Sequence, residues 1–167
     1  MTVEQHHYTG QRAVLTLRQG LAAGVVAAAC MALVASLGSA LAGDGLWTPL
    51  NAVGSFFRPA APIPAGFAGS LTWLGAAVSL LMGGLLGALY ASAQERIDTP
   101  SLLVVAIYFG LVTWIVATFA ILSWAKPPVH EVMRTWPVLL GNLVYGLVLG
   151  LFAASRNRLA PAAEPSP

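Results

Sequence analysis

The sequence predicts an all-α integral membrane protein. It has four transmembrane helices packed through Gly/Ala/Ser ladders, and a short interfacial helix in the first external loop. Composition is the first reason. Apolar residues make up 57% of the 167-residue chain and charged residues 8%, against about 45–50% and about 25% in soluble domains. Too little polar surface remains to meet water on every side. Second, four apolar stretches are each long enough to cross a roughly 30 Å hydrocarbon core at about 1.5 Å rise per residue. Third, small residues recur at four-residue spacing in three of these stretches, which lets helix backbones approach closely in lipid.

Residues 1–18 read as a polar N-terminal tail carrying His6, His7, Arg12 and Arg18. The first span is 19–43, which contains no charged residue and carries the ladder Gly20, Gly24, Ala28, Ala32, Ser36 and Ala40. A cleavable signal peptide is the competing reading, with Ala40-Leu41-Ala42 as a small-x-small cleavage site. The apolar run, however, exceeds the roughly 7–15 residues of a signal core. The ladder also has a use only in a retained helix. Retention is therefore the expectation.

The external loop, 44–65, holds the helix-start signal Thr48-Pro49, a capping hydroxyl followed by a residue that lacks an N–H. Leu50, Val53 and Phe57 then fall on one face. That spacing predicts a short amphipathic helix in the membrane interface with Trp47 as its anchor. Pro59, Pro62 and Pro64 predict an extended spacer.

The second span, 66–93, has the ladder Gly75, Ser79, Gly83, Gly87 and Ala91. A polar loop with Glu95, Arg96 and Asp98 follows, and Asp98 or Thr99 before Pro100 caps the third span, 101–124. That span is bulky and β-branched, with only the small pair Ala106 and Gly110, so it is expected to face lipid or a partner more than its neighbours do. One or two surface turns over Val129–Trp136 lead to the fourth span, 137–155, with Asn142, Gly146, Gly150 and Ala154 in register. Residues 156–167 form an Ala/Pro-rich tail.

One decapeptide recurs. The stretch starting at Gly83 and the stretch starting at Gly146 agree at Gly83/Gly146, Leu86/Leu149, Gly87/Gly150, Ala91/Ala154 and Ser92/Ser155. Two explanations stand open: a duplicated two-span unit, or the frequent chance alignment of Gly, Leu, Ala and Ser. Basic residues orient the chain. Arg12, Arg18, Arg96, Arg156 and Arg158 lie in the tails and second loop, against Arg58, Lys126 and Arg134 in the other two loops. Both termini are therefore expected in the cytoplasm, with Trp47, Trp73, Trp124 and Trp136 at the outer boundary.

Several chemistries lack their residues. No span carries an ionisable acid or base of the kind that proton relays place there. The three histidines lie outside the spans, His130-Glu131 lacks the second histidine of a zinc-protease helix, and Cys30 is the lone cysteine. The net charge of +2 is scattered, so nucleic-acid binding is not expected. Neither a metal nor a cofactor is expected. The intramembrane polar candidates are Asn142 and Tyr145, three apart on the fourth span, serving as a polar site or an interhelical bond. Trp47, Phe56 and Phe57 form the candidate external partner surface, and the helix-packing residues are Gly24, Ala28, Gly75, Ser79, Gly83, Gly87, Gly146 and Gly150.

The layout resembles that of small uncharacterised bacterial four-helix integral membrane proteins. The likeness rests on a Gly/Ala-rich first helix and on a glycine, Gly43 or Gly45, leading through Trp47-Thr-Pro-Leu50, before three further helices. The resemblance implies topology and a bacterial inner membrane, with no activity attached. The expected function is non-catalytic: an accessory or assembly subunit of a larger membrane complex, or a homo-oligomeric structural component. Membrane lipid and other membrane subunits, or further copies of this chain, are the expected partners. The alternative is a small channel or facilitator in which Asn142, Tyr145, Ser79 and Thr113 meet at an oligomer axis.

Overall fold

Local signals set the ends of the first helix more tightly than the charge-free run does. Thr16 opens α1 (Leu17–Leu41): its hydroxyl accepts the Gln19 N–H at 3.4 Å, and the Gln19 side-chain oxygen accepts the Thr16 N–H at 3.1 Å. This reciprocal cap satisfies two otherwise orphan donors. At the far end Gly43 has φ +87°, its N–H bonds Ala40 O at 3.1 Å, and the Asp44 N–H reaches Ser39 O at 2.9 Å. That closing pattern needs the left-handed backbone that glycine adopts without steric cost. The computed structural model describes residues 15–58, 62–94, 102–121 and 127–159. The expected tails, the polar loop with its cap at Asp98 or Thr99, Pro59, and the end of the third span at Trp124 lie wholly or largely outside them.

All regular structure among the described residues is helical: α1, α2 (Thr48–Phe57), α3 (Ser70–Gln94), α4 (Leu102–Ile115), α5 (Pro127–Met133) and α6 (Trp136–Leu159). A π-helical stretch, Val116–Ile121, continues α4. Four helices are long and apolar enough to cross a membrane: Leu17–Leu41, Ser70–Gln94, Leu102–Ala120 and Trp136–Arg156. The third is the least covered, with 22% of its apolar segment buried against 33–39% for the others.

Several boundaries differ from expectation. Span two begins at Ser70 rather than near 66, because residues 66–69 are not helical and Gly69, in the turn before the helix, takes φ +56°. Helix α6 runs past Ser155 to Leu159, so Arg156 to Arg158 belong to a helix and not to a tail. Thr48 does not cap α2. Trp47 holds the cap position without a side-chain bond, and the Thr48 hydroxyl instead donates to Asp44 O at 2.5 Å. Helix α2 is also held against a neighbouring helix. Gly54 approaches the Leu71 carbonyl and Gly75 approaches the Leu50 carbonyl so closely that a methyl group on either glycine would overlap that oxygen. The two glycines dock α2 against the start of α3.

Helix α1 sits between α3 and α6, and α4 packs on the other side of α6. Neighbours run antiparallel: Gly20 faces Gly87 and Ala91, Gly24 faces Gly83, Gly38 faces Pro137, and Gly110 faces Asn142 and Gly146. The first and last described residues therefore emerge at one end, and α2 and α5 cover the other. Two buried clusters result. One joins α1, α3, α4 and α6 through Ala27, Ala28, Tyr90, Ala106, Tyr145 and Leu149. The other lies under the short helices and holds Ala52, Val129, Met133 and Val138.

Candidate functional site

A cavity of about 320 Å³ lies where these two clusters fail to meet. Its back wall comes from α1 (Met31, Ala35) and α6 (Val138, Asn142, Tyr145), and its sides from α3 (Ser79, Met82) and α4 with its π-helical continuation (Thr113, Ala117). Leu50, Val53 and Phe57 close the loop end. The amphipathic face of α2 read from the sequence thus turns toward this cavity.

The cavity follows from uneven helix packing. The two decapeptides occupy equivalent places: Gly83 and Gly87 meet α1 of the same hairpin, while Gly146 and Gly150 meet α4 of the other. The hairpins then join along α1 and α6. The counterpart of that joint would be α3 against α4, and there the two helices make at most marginal contact. They approach at the terminal end, where the Tyr90 hydroxyl donates to Leu102 O at 3.2 Å and its ring lies 5.4 Å from that of Phe109. Toward the loop end they part. The result is a cleft on the α3–α4 side, with Met82 about half exposed and Phe57 largely exposed on its rim.

The polar residues expected to matter, Ser79, Thr113, Asn142 and Tyr145, all line this one cavity. Each hydroxyl or amide whose bond is defined turns back into the protein. The Tyr145 hydroxyl donates to Gly83 O at 2.7 Å and bridges α6 to α3. The Asn142 amide donates to Val138 O at 2.9 Å, four residues back on its own helix, and the Thr113 hydroxyl does the same to Phe109 O at 2.8 Å. Of the Asn142–Tyr145 pair, only Tyr145 makes an interhelical bond. Such bonds average about 0.6 kcal/mol in membranes. Tyr145→Phe is accordingly expected to lower the unfolding free energy in detergent by about that amount, with unchanged helicity by circular dichroism.

Among the packing candidates, Gly24, Ala28, Gly83 and Gly87 meet in the α1–α3 seam. Gly146 and Gly150 meet α4, at Ala106 and Leu103. Gly75 serves α2 instead of another span, and Ser79 lines the cleft. The aromatic residues expected to form an external surface fall into two groups. Trp47 packs edge-on to Phe67 at 5.2 Å, and Phe67 reaches Trp73 at 6.3 Å. Phe56 and Phe57, 5.4 Å apart, sit at the opposite end of α2 on the cleft rim.

Sequence reasoning missed Asn51. It is fully buried, its amide nitrogen donates to Pro64 O at 2.7 Å and Gly66 O at 2.9 Å, and its amide oxygen accepts from the Thr72 hydroxyl at 2.6 Å. Thr72 in turn accepts the Ala68 N–H at 2.9 Å, and Ser55 donates to Asn51 O at 2.7 Å. This network fastens α2, the following loop and α3 together over the cleft. The usable signal was the polar stripe Thr48, Asn51, Ser55, opposite the apolar face of α2. Arg58, just past the end of α2, donates to the Ser70 hydroxyl at 2.7 Å and adds a further tie to α3.

Among the described residues no three His, Cys, Asp or Glu side chains are grouped to hold a metal. Compared with protein-family models, curated proteins and solved structures, the chain finds no match.

Proposed function

We propose that the chain is a non-catalytic integral membrane protein of the bacterial inner membrane, with both termini in the cytoplasm. In this reading it works as an accessory or assembly subunit of a larger membrane complex, or as a homo-oligomeric structural component. One observation carries the reading: Tyr145, Asn142 and Thr113 turn their polar groups to carbonyls of their own chain. Groups already bonded in this way hold helices in place and are not free to activate a substrate. The broad apolar face of α4, with Val104, Tyr108, Val112 and Ile115 exposed, offers the contact area that a subunit needs.

A small channel or facilitator is the second reading. It is favoured by the convergence of Ser79, Thr113, Asn142 and Tyr145 on one cavity. Purification of the full chain in mild detergent separates the two. Recovery in a defined larger complex, or as a closed oligomer without solute flux when reconstituted, is the expected result. A monodisperse monomer that conducts a solute, with flux lost in Asn142→Leu, would overturn it.

A further inference from the structure

We infer that the cleft is a lipid site. It takes one acyl chain of a phospholipid with a net negative headgroup, admitted from the α3–α4 side, while the phosphate rests between Arg58 and Arg134. The inference goes beyond the subunit reading and holds whether or not the chain has a protein partner.

The cleft suits hydrocarbon. Its wall is almost wholly apolar, built from Met31, Leu50, Val53, Met82, Val129 and Met133, and the defined polar bonds there point into the protein. A dry apolar cavity takes an apolar guest and excludes water. At about 320 Å³ it reaches the lower end of the range for small-molecule sites, about 300–1,000 Å³. Its open side lies between two helices that are each long and apolar enough to span a bilayer, so the guest that meets it is a lipid tail.

The charge at the rim selects the headgroup. Arg58 directly follows the cleft residue Phe57, and Arg134 directly follows the cleft residue Met133. Both are exposed, and both lie at the end covered by α2 and α5, which touch each other. Arg58 donates to the neutral Ser70 hydroxyl, and the Arg134 guanidinium lies 5.8 Å from the centre of the Phe119 ring. Among the described residues neither is paired with a carboxylate, although Glu131 shares the short helix with Arg134. Two arginines with unneutralised charge beside an apolar slot complement an acyl chain that ends in a phosphate.

The test is native mass spectrometry on the full chain, purified in mild detergent, delipidated, and titrated with phosphatidylglycerol or phosphatidylcholine. One phosphatidylglycerol per chain is the expected occupancy, with phosphatidylcholine held more weakly. Each arginine near a membrane surface contributes about a fivefold preference for anionic lipid, so Arg58→Gln with Arg134→Gln should weaken phosphatidylglycerol by about 25-fold. Ser79→Phe fills the slot and should abolish retention of both lipids. Ala117→Leu is the milder filling variant if the first does not fold, with circular dichroism as the check. Undiminished retention in a folded filling variant would overturn the chain site. Equal retention of the two lipids, or no loss in the double glutamine variant, would overturn the headgroup site.

Discussion

Replacing Gly24 with leucine is expected to break the α1–α3 seam. It should lower the unfolding free energy by about 3 kcal/mol, the upper end of the usual overpacking cost. A single methyl group at Gly24 already overlaps the Gly83 carbonyl oxygen and crowds the Gly87 Cα. Both obstacles are backbone, so no rotamer change relieves them, and the helices must separate. Separation also removes the contacts of Ala28 with Gly83 and of Gly20 with Gly87, since all four share one seam. Gly66→Ala is the control: a methyl group there meets no atom within 4 Å, and stability should stay within about 0.5 kcal/mol of the parent. Denaturant titration in detergent micelles, followed by circular dichroism, reads both values. A Gly24→Leu protein as stable as the Gly66→Ala control would show that the seam is not close-packed.

Asn51→Leu is expected to have a comparable effect by another route. Leucine has nearly the same bulk, so no large cavity opens. The loss is of hydrogen bonds: the Pro64 and Gly66 carbonyls lose their donor, and the buried Thr72 hydroxyl loses its acceptor. A buried polar group left unpaired costs about 1–3 kcal/mol. Gly66 is exposed and can turn to water, whereas Thr72 is buried and cannot. The expected total is therefore about 2–4 kcal/mol. Hydrogen exchange should localise it, with faster exchange at residues 62–72 and little change in the α4–α6 seam. Uniformly faster exchange would mean that Asn51 supports the whole bundle rather than the cover of the cleft.

These two residues differ in how plainly the sequence displays them. Gly24 stands in a four-residue ladder, and a ladder of small residues has a direct meaning in a membrane: another backbone comes close. The structure places Gly83 there, and the decapeptide starting at Gly146 faces α4 in the same manner. Asn51 belongs to no ladder. Two of its partners are backbone carbonyls 13 and 15 residues away, which leave no trace in residue identity, and the third, the Thr72 hydroxyl, is 21 residues away. The π-helical stretch Val116–Ile121 is equally silent, because its Val, Ala, Thr, Phe and Ile are residue types that α4 also contains. The cleft is hidden for a related reason. Apolar side chains that line it cannot be told by type from those that face lipid, so the cleft emerges only when α3 and α4 are seen to part.

Whether that cleft opens to lipid is measured most directly with a nitroxide at residue 79, introduced through Ser79→Cys with Cys30→Ala to remove the lone native thiol. In reconstituted vesicles its collision rates with oxygen, which partitions into lipid, and with a water-soluble nickel chelate report the surrounding medium. High oxygen and low nickel accessibility is the predicted outcome, matching a label at the exposed apolar residue Leu81 and unlike one at Asp44. High nickel accessibility at residue 79 would mean a water-filled path, and low values for both probes would mean that the helices close there; either result contradicts the account.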